Sequence, residues 1–152
     1  MYIKDVMHSN VTSVPLGTQV QDAYEIMRDG GFRHLPVLDE FGKVAGILSD
    51  RDLSSVGAVY KDEATGTEEF LVTEDSTVDK IMSTKPFSVS PDDSVSFAID
   101  IMREKRIGCL IVSNDGELLG IVSYLDILDA FKKILDRHAQ AQADAQAKAG
   151  AA

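Results

Sequence analysis

The residues best placed to do chemistry come as a repeated set. Gly46, Ser49 and Asp52 lie in the run Gly46-Ile47-Leu48-Ser49-Asp50-Arg51-Asp52, and Gly120, Ser123 and Asp126 lie in Gly120-Ile121-Val122-Ser123-Tyr124-Leu125-Asp126. Each run reads as an apolar strand end passing into the start of a helix. The first backbone N–H groups of a helix have no intrahelical partner, and the aligned peptide dipoles add partial positive charge, so such a turn suits an anion and a phosphate above all. The same spacing also fits a capping box, in which the serine caps the helix and the acidic residue three positions on reaches back to the backbone. Either copy alone is open to both readings. A ligand is favoured because the set occurs twice, inside a duplication of the whole chain.

Little else in the chain offers reactive chemistry. His8, His34 and His138 form no metal-spaced cluster, and no nucleophile has an evident base, so neither a metal site nor catalytic residues are expected and the chain does not read as an enzyme. Cys109 is the only cysteine, which excludes an intrachain disulfide. It stands in the apolar run Cys109-Leu110-Ile111-Val112, as a buried inert thiol or, alternatively, a redox sensor.

The chain has 152 residues, 44% hydrophobic and 26% charged, the balance of a globular protein. Its formal charge of −10 repels nucleic-acid phosphates and anionic membranes, so a bound anion needs a local pocket. No apolar run reaches membrane-spanning length, and Lys4 and Asp5 interrupt any leader-like stretch. The expected compartment is the cytoplasm, with neither nucleic acid nor membrane as a partner.

The elements that must position the two motifs can be read from the repeat. Met7, Val14, Val20, Ala23, Met27, Leu35 and Val37 recur 75 residues later as Met82, Val89, Val95, Ala98, Met102, Leu110 and Val112. After Phe41, which has no counterpart, the spacing becomes 74. Each unit reads β-α-β-β-α: a brief extended segment, an amphipathic helix, two strands around a turn, and the helix that begins at the motif. Thr18 with Gln21 resembles a capping box, and Asp93 holds the equivalent cap position. Pro36 removes a ladder donor, which predicts an edge strand or an irregular one. The units are assigned to residues 1–60 and 77–136. Residues 61–76 read as an exposed linker with a short helix near 68–72, and residues 137–152 as a frayed, Ala/Gln-rich flexible tail. Tyr24 with Met27, Phe97 and Ile99 with Met102, and the apolar face Ile127, Leu128, Phe131, Ile134 and Leu135 predict a homodimer.

A tandem β-α-β-β-α unit with a Leu-Pro-Val strand and a Gly-hydrophobic-x-Ser-x-x-Asp turn resembles a pair of cystathionine-β-synthase (CBS) domains, a Bateman module, over residue 3 to about residue 135. The resemblance implies an α+β fold of two units packed sheet to sheet about a pseudo-twofold axis, and a homodimer shaped as a four-unit disc. It also implies two clefts for adenosyl ligands: AMP, ADP or ATP, with S-adenosylmethionine a further candidate, and no obligatory cofactor. On this resemblance Ser49 and Ser123 face phosphate, while Asp52 and Asp126 accept from ribose hydroxyls. An ionised carboxylate, an acceptor only, suits a vicinal diol. Adenine would lie near Thr12, Ser13, Ser88 and Val89, beside the Pro36 strand. Arg33, His34 and Arg51 have Gly108, Cys109 and Leu125 as counterparts, which predicts unequal clefts, one preferring the more phosphorylated ligand. His34 also reads as a half-exposed polar residue of a strand. The expected function is a stand-alone nucleotide-sensing regulatory module acting through a protein partner or its own dimer; the alternative is an interaction adaptor that has lost its ligand.

Overall fold

The computed structural model of the chain describes residues 1–73 and 76–151. Strand β1 (Val14–Pro15), helix α1 (Val20–Gly30), strands β2 (His34–Leu38) and β3 (Val44–Ser49) and helix α2 (Asp50–Val56) form the first unit. A hairpin of β4 (Gly57–Lys61) and β5 (Glu68–Val72) comes next. Helix α3 (Val78–Ile81) and strand β6 (Ser83–Thr84) lead into the second unit, made of β7 (Ser88–Val89), α4 (Val95–Lys105), β8 (Cys109–Asn114), β9 (Glu117–Ser123) and α5 (Tyr124–Gly150). The fold is α+β. No helix among the described residues is long and apolar enough to cross a membrane.

Helical spacing of apolar residues decides which face of each helix is inside. Val20, Ala23 and Met27 of α1 are buried, as are Val95, Ala98 and Met102 of α4. α1 stops at Gly31, whose φ of 68° is the left-handed conformation that glycine adopts without strain. β2 lies between β1, which is parallel to it, and β3, which is antiparallel; β8 lies likewise between β7 and β9. Pro36 therefore stands in an inner strand, not at an edge, and the strand is irregular just beyond it, its register shifting between Val37 and Leu38. It is accommodated because β1 is two residues long and starts opposite Val37, so the missing N–H leaves a single acceptor, the Thr12 carbonyl, without a donor among the described residues. In the second unit Ile111 holds the equivalent place, and its N–H donates to the Phe87 carbonyl at 3.1 Å.

The two units are interlocked by exchange of their leading segments. Ile3 is fully buried in the second core, and its counterpart Val78 is fully buried in the first. The Ile3 N–H donates to the Asp93 carbonyl at 2.9 Å, and the Val78 N–H to the Thr18 carbonyl at 2.8 Å. Further along, His8 pairs with Ile121 of β9 while Ser83 of β6 pairs with Ile47 of β3. These contacts are reciprocal, as a pseudo-twofold axis requires, and the counterparts Lys43 and Glu117 pair with each other. This crossing explains the motif glycines. A Cβ on Gly120 would strike the His8 carbonyl oxygen, and one on Gly46 would lie 2.8 Å from the Ser83 carbonyl oxygen.

Several elements differ from the sequence expectation. Residues 68–72 are strand β5 rather than a helix. Phe70 turns inward between exposed Glu69 and Leu71, and its ring stacks on Tyr24 with centroids 4.2 Å apart. The stretch read as a linker thus contributes to a hairpin that covers α1, and Met27 and Met102 belong to the cores instead of facing a second subunit. The caps of α1 and α4 fall one residue later than expected, at Gln19 and Ser94. The carbonyls of Thr18 and Asp93, which would have accepted the first helical bonds, are taken by Val78 and Ile3. Thr18 Oγ1 instead donates to the Pro15 carbonyl, and Asp93 accepts from the Ser90 N–H. Residues 137–150, read as a flexible tail, continue α5, whose 27 residues extend about 40 Å. Alanine propensity and i,i+4 bonds such as Gln140 to Asp144 favour helix there despite full exposure.

If the exchange holds the second core, Ile3→Ala lowers stability by about 2–5 kcal/mol, read from urea unfolding. The same variant should speed amide exchange in β8 and β9 more than in β2 and β3.

Candidate functional site

Each strand-to-helix turn is built by a complete capping box. The Ser49 N–H and hydroxyl both donate to Asp52 Oδ2, at 2.7 and 2.8 Å, and the Asp52 N–H donates back to Ser49 Oγ at 3.3 Å. In the second unit the corresponding distances between Ser123 and Asp126 are 2.7, 2.7 and 3.4 Å. The cap therefore occupies Oδ2 of each aspartate and leaves Oδ1 for other work. Here the copies diverge. Asp126 Oδ1 lies 2.7 Å from His8 Nε2, whereas Asp52 Oδ1 has no hydrogen-bond partner among the described residues, Ser83 standing where His8 would be.

A cavity of about 350 Å³ lies between the units; of the second unit's motif strand it touches Ile121, while Ser123 and Asp126 do not line it. Thr12 before β1 and Phe32 and His34 at the start of β2 supply its wall from the first unit, and Ile121 of β9 supplies it from the second. His8 lines this cavity and also another, of about 340 Å³, with Asp126, Lys133 and Arg137. The site thus crosses between units: Thr12 and His34 face the strand that leads to Ser123 and Asp126. Arg33 makes the same crossing, lying near Tyr124 at the start of α5. Thr12 also offers an acceptor, because Pro36 cannot supply the N–H that Ile111 gives Phe87, and the Thr12 carbonyl has no donor among the described residues.

The remaining expected residues are dispersed. Ser13 is half-buried next to Thr12, and Pro36 is fully buried within β2. Val89 is 3% exposed in the second core, so its side chain is unavailable to a cleft, while Ser88 beside it is exposed. Ser49, Arg51 and Asp52 belong to the other turn and do not line the cavity of Thr12 and His34.

Arg33, His34 and Arg51 do not add up to one cationic cluster. Arg33 Nε is held 2.8 Å from Asp50 Oδ2, which compensates its charge. Burial pushes His34 below its ordinary pKa, against the pull of Asp50, so the imidazole is neutral at pH 7. Arg51 has no ion pair among the described residues. Burial also raises the Cys109 thiol to about 12, which makes it unreactive. Sequence reasoning missed His8 and Ile121 as site residues. The one signal was that His8 breaks the repeat by standing opposite Ser83; that it reaches the other unit's motif depends on the segment exchange.

The unfolded chain protonates His34 near 6.5 and the folded chain only at lower pH. Between those values the unfolded state binds more protons, so stability falls as pH drops through that window. His34→Gln should remove part of the loss, measured as urea midpoints at about pH 7.5 and about pH 5.

Comparison with known proteins agrees with this architecture. The family model for the CBS domain matches residues 3–58 and again 78–133. An uncharacterized protein of Methanocaldococcus jannaschii is 33% identical over 112 residues, 73% of this chain, which spans 24% of that relative's length. The crystal structure of the CBS domain pair of protein MJ0100, in complex with 5′-methylthioadenosine and S-adenosyl-L-methionine, superposes with a TM-score of 0.72 at 22% identity, over 88% of this chain and 97% of that one. The crystal structure of CBSX2 in complex with AMP gives a TM-score of 0.71 at 24% identity, with the same coverage of both chains. With both halves matched and the interlocked fold shared, the chain belongs to the CBS domain family as a tandem pair.

Proposed function

We propose that the chain is a regulatory module that senses an adenosyl ligand, AMP, ADP or ATP, in the cleft between Thr12, His34 and the Ser123–Asp126 turn. The observation that carries this reading is a nucleoside-sized cavity lined by Thr12, Phe32, His34 and Ile121, with His8 at its edge linking it to the Asp126 carboxylate 2.7 Å away. Adenine would fit against Phe32 and Ile121 and donate its exocyclic amine to the Thr12 carbonyl. Guanine presents a carbonyl oxygen there, and two facing acceptors repel. Ribose would bind Asp126, and phosphates would meet Ser123 and the first N–H groups of α5. The turn of the first unit, with Ser49, Asp52 and unpaired Arg51, would serve the pseudo-symmetric cleft beside Ser88. Ligands of the adenosyl class in the two structural relatives support the reading.

One observation favours the alternative adaptor: Ser123, Asp126 and His8 satisfy one another with no ligand. Thermal melts separate the two. A nucleotide at 100 times its Kd stabilises the folded state by about 2.7 kcal/mol. AMP, ADP or ATP should therefore raise Tm while GMP does less. Asp126→Asn should weaken the best ligand about tenfold or more. Melts unmoved by any adenosyl ligand at millimolar concentration would leave the adaptor.

The module is further proposed to signal as a homodimer through α4 and α5. Tyr124, Leu128, Phe131 and Leu135 are each about half exposed, at helical spacing along one face, and Phe97 of α4 is 50% exposed. Light scattering should give a dimer for the native chain and a monomer for Leu128→Glu/Phe131→Glu. A native monomer at high micromolar concentration would refute this assembly.

A further inference from the structure

We propose that His8 gates this cleft: its imidazole occupies the carboxylate oxygen that a ribose diol needs, so the ligand binds only when His8 turns away. The inference rests on the adenosyl reading above and identifies a residue that sets the affinity of one cleft and not of the other.

Asp126 has two oxygens to give. Oδ2 accepts from both the N–H and the hydroxyl of Ser123, and releasing it would open the start of α5. A diol must therefore use Oδ1, which lies 2.7 Å from His8 Nε2. The two partners differ in freedom, since the His8 side chain is 70% exposed and that of Asp126 is 14% exposed. The imidazole can move into water with little packing lost, whereas the carboxylate is fixed by its cap. The His8 backbone stays in place during such a move. Its N–H donates to the Ile121 carbonyl at 2.9 Å, and its carbonyl accepts from the Ile121 N–H at 3.0 Å. Opening is thus a side-chain rotation, and the leading segment remains docked on the second core.

In the other cleft Ser83 occupies the equivalent position and makes no bond to Asp52 Oδ1 among the described residues, so that cleft has no such gate.

Calorimetry with adenosine and 2′-deoxyadenosine tests the gate. His8→Ala and His8→Ser, the second being the residue of the other unit, are compared with the native chain. Both variants should bind adenosine about tenfold tighter than the native chain does, and 2′-deoxyadenosine should gain less. Unchanged affinity in both variants would overturn the gate, as would equal gains for the two nucleosides, which would mean only added space. If the native chain and both variants all fail to bind adenosine, the adenosyl reading falls and the gate with it. Binding by the native chain with unmoved variants removes the gate alone.

Discussion

The structure depends on the exchange of leading segments between the two units. Neither core is complete without a residue from the other half: Ile3 fills the second and Val78 the first. Burying such side chains is worth about 1.5–3 kcal/mol each, a sizeable fraction of the stability of a domain this size. The exchange also fixes details that look local. It uses the Thr18 and Asp93 carbonyls and so moves two helix starts, and it requires glycine where His8 and Ser83 cross the motif strands. A duplicated chain is thereby held as one unit, and the cavity of Thr12 and His34 takes its Ile121 wall from the other half.

The turn that was open to two readings is a complete capping box, and the box does not exclude a ligand. A serine and an aspartate three residues apart form a capping box, and the box engages one carboxylate oxygen while the other points elsewhere. A fixed carboxylate with a single open acceptor is a better ligand for a diol than a mobile one, because little conformational entropy remains to be lost on binding. Structural capping and the proposed ligand recognition are therefore compatible, and the cap would orient the recognising oxygen.

Much of this was legible from residue spacing. The repeat of Val20, Ala23 and Met27 as Val95, Ala98 and Met102 defined the helices and their buried faces, and the paired Ser and Asp located both turns. The errors arose where distant contacts override local preference. Glu68 to Val72 has acidic residues that suit a helix start, but Phe70 finds Tyr24 and the segment becomes a strand. Pro36 argued for an edge or an irregular strand; it lies inside, just before the register shift at Val37 and Leu38, and the shortness of β1 makes that inner position tolerable. His8 could not be assigned to a site because its partner lies 118 residues away, on the unit to which it does not belong in sequence.

The two halves share a core pattern and differ in the chain beyond it, and that difference sets which surfaces remain open. After the first unit the chain turns into the β4–β5 hairpin, and Phe70 covers α1 by stacking on Tyr24. After the second it runs on as α5, which leaves its own apolar stripe and Phe97 of α4 half exposed. The motif turn of the second unit sits at the N-terminus of that same helix, so the Asp126 oxygen left open by the cap and the uncovered stripe are carried on one rigid element. A tilt of α5 on ligand entry would be felt along the stripe, whereas α2 is seven residues long and ends at the hairpin. Under the proposed reading, the turn of the second unit is the one that would pass a binding event outward, and it is also the one beside which His8 stands.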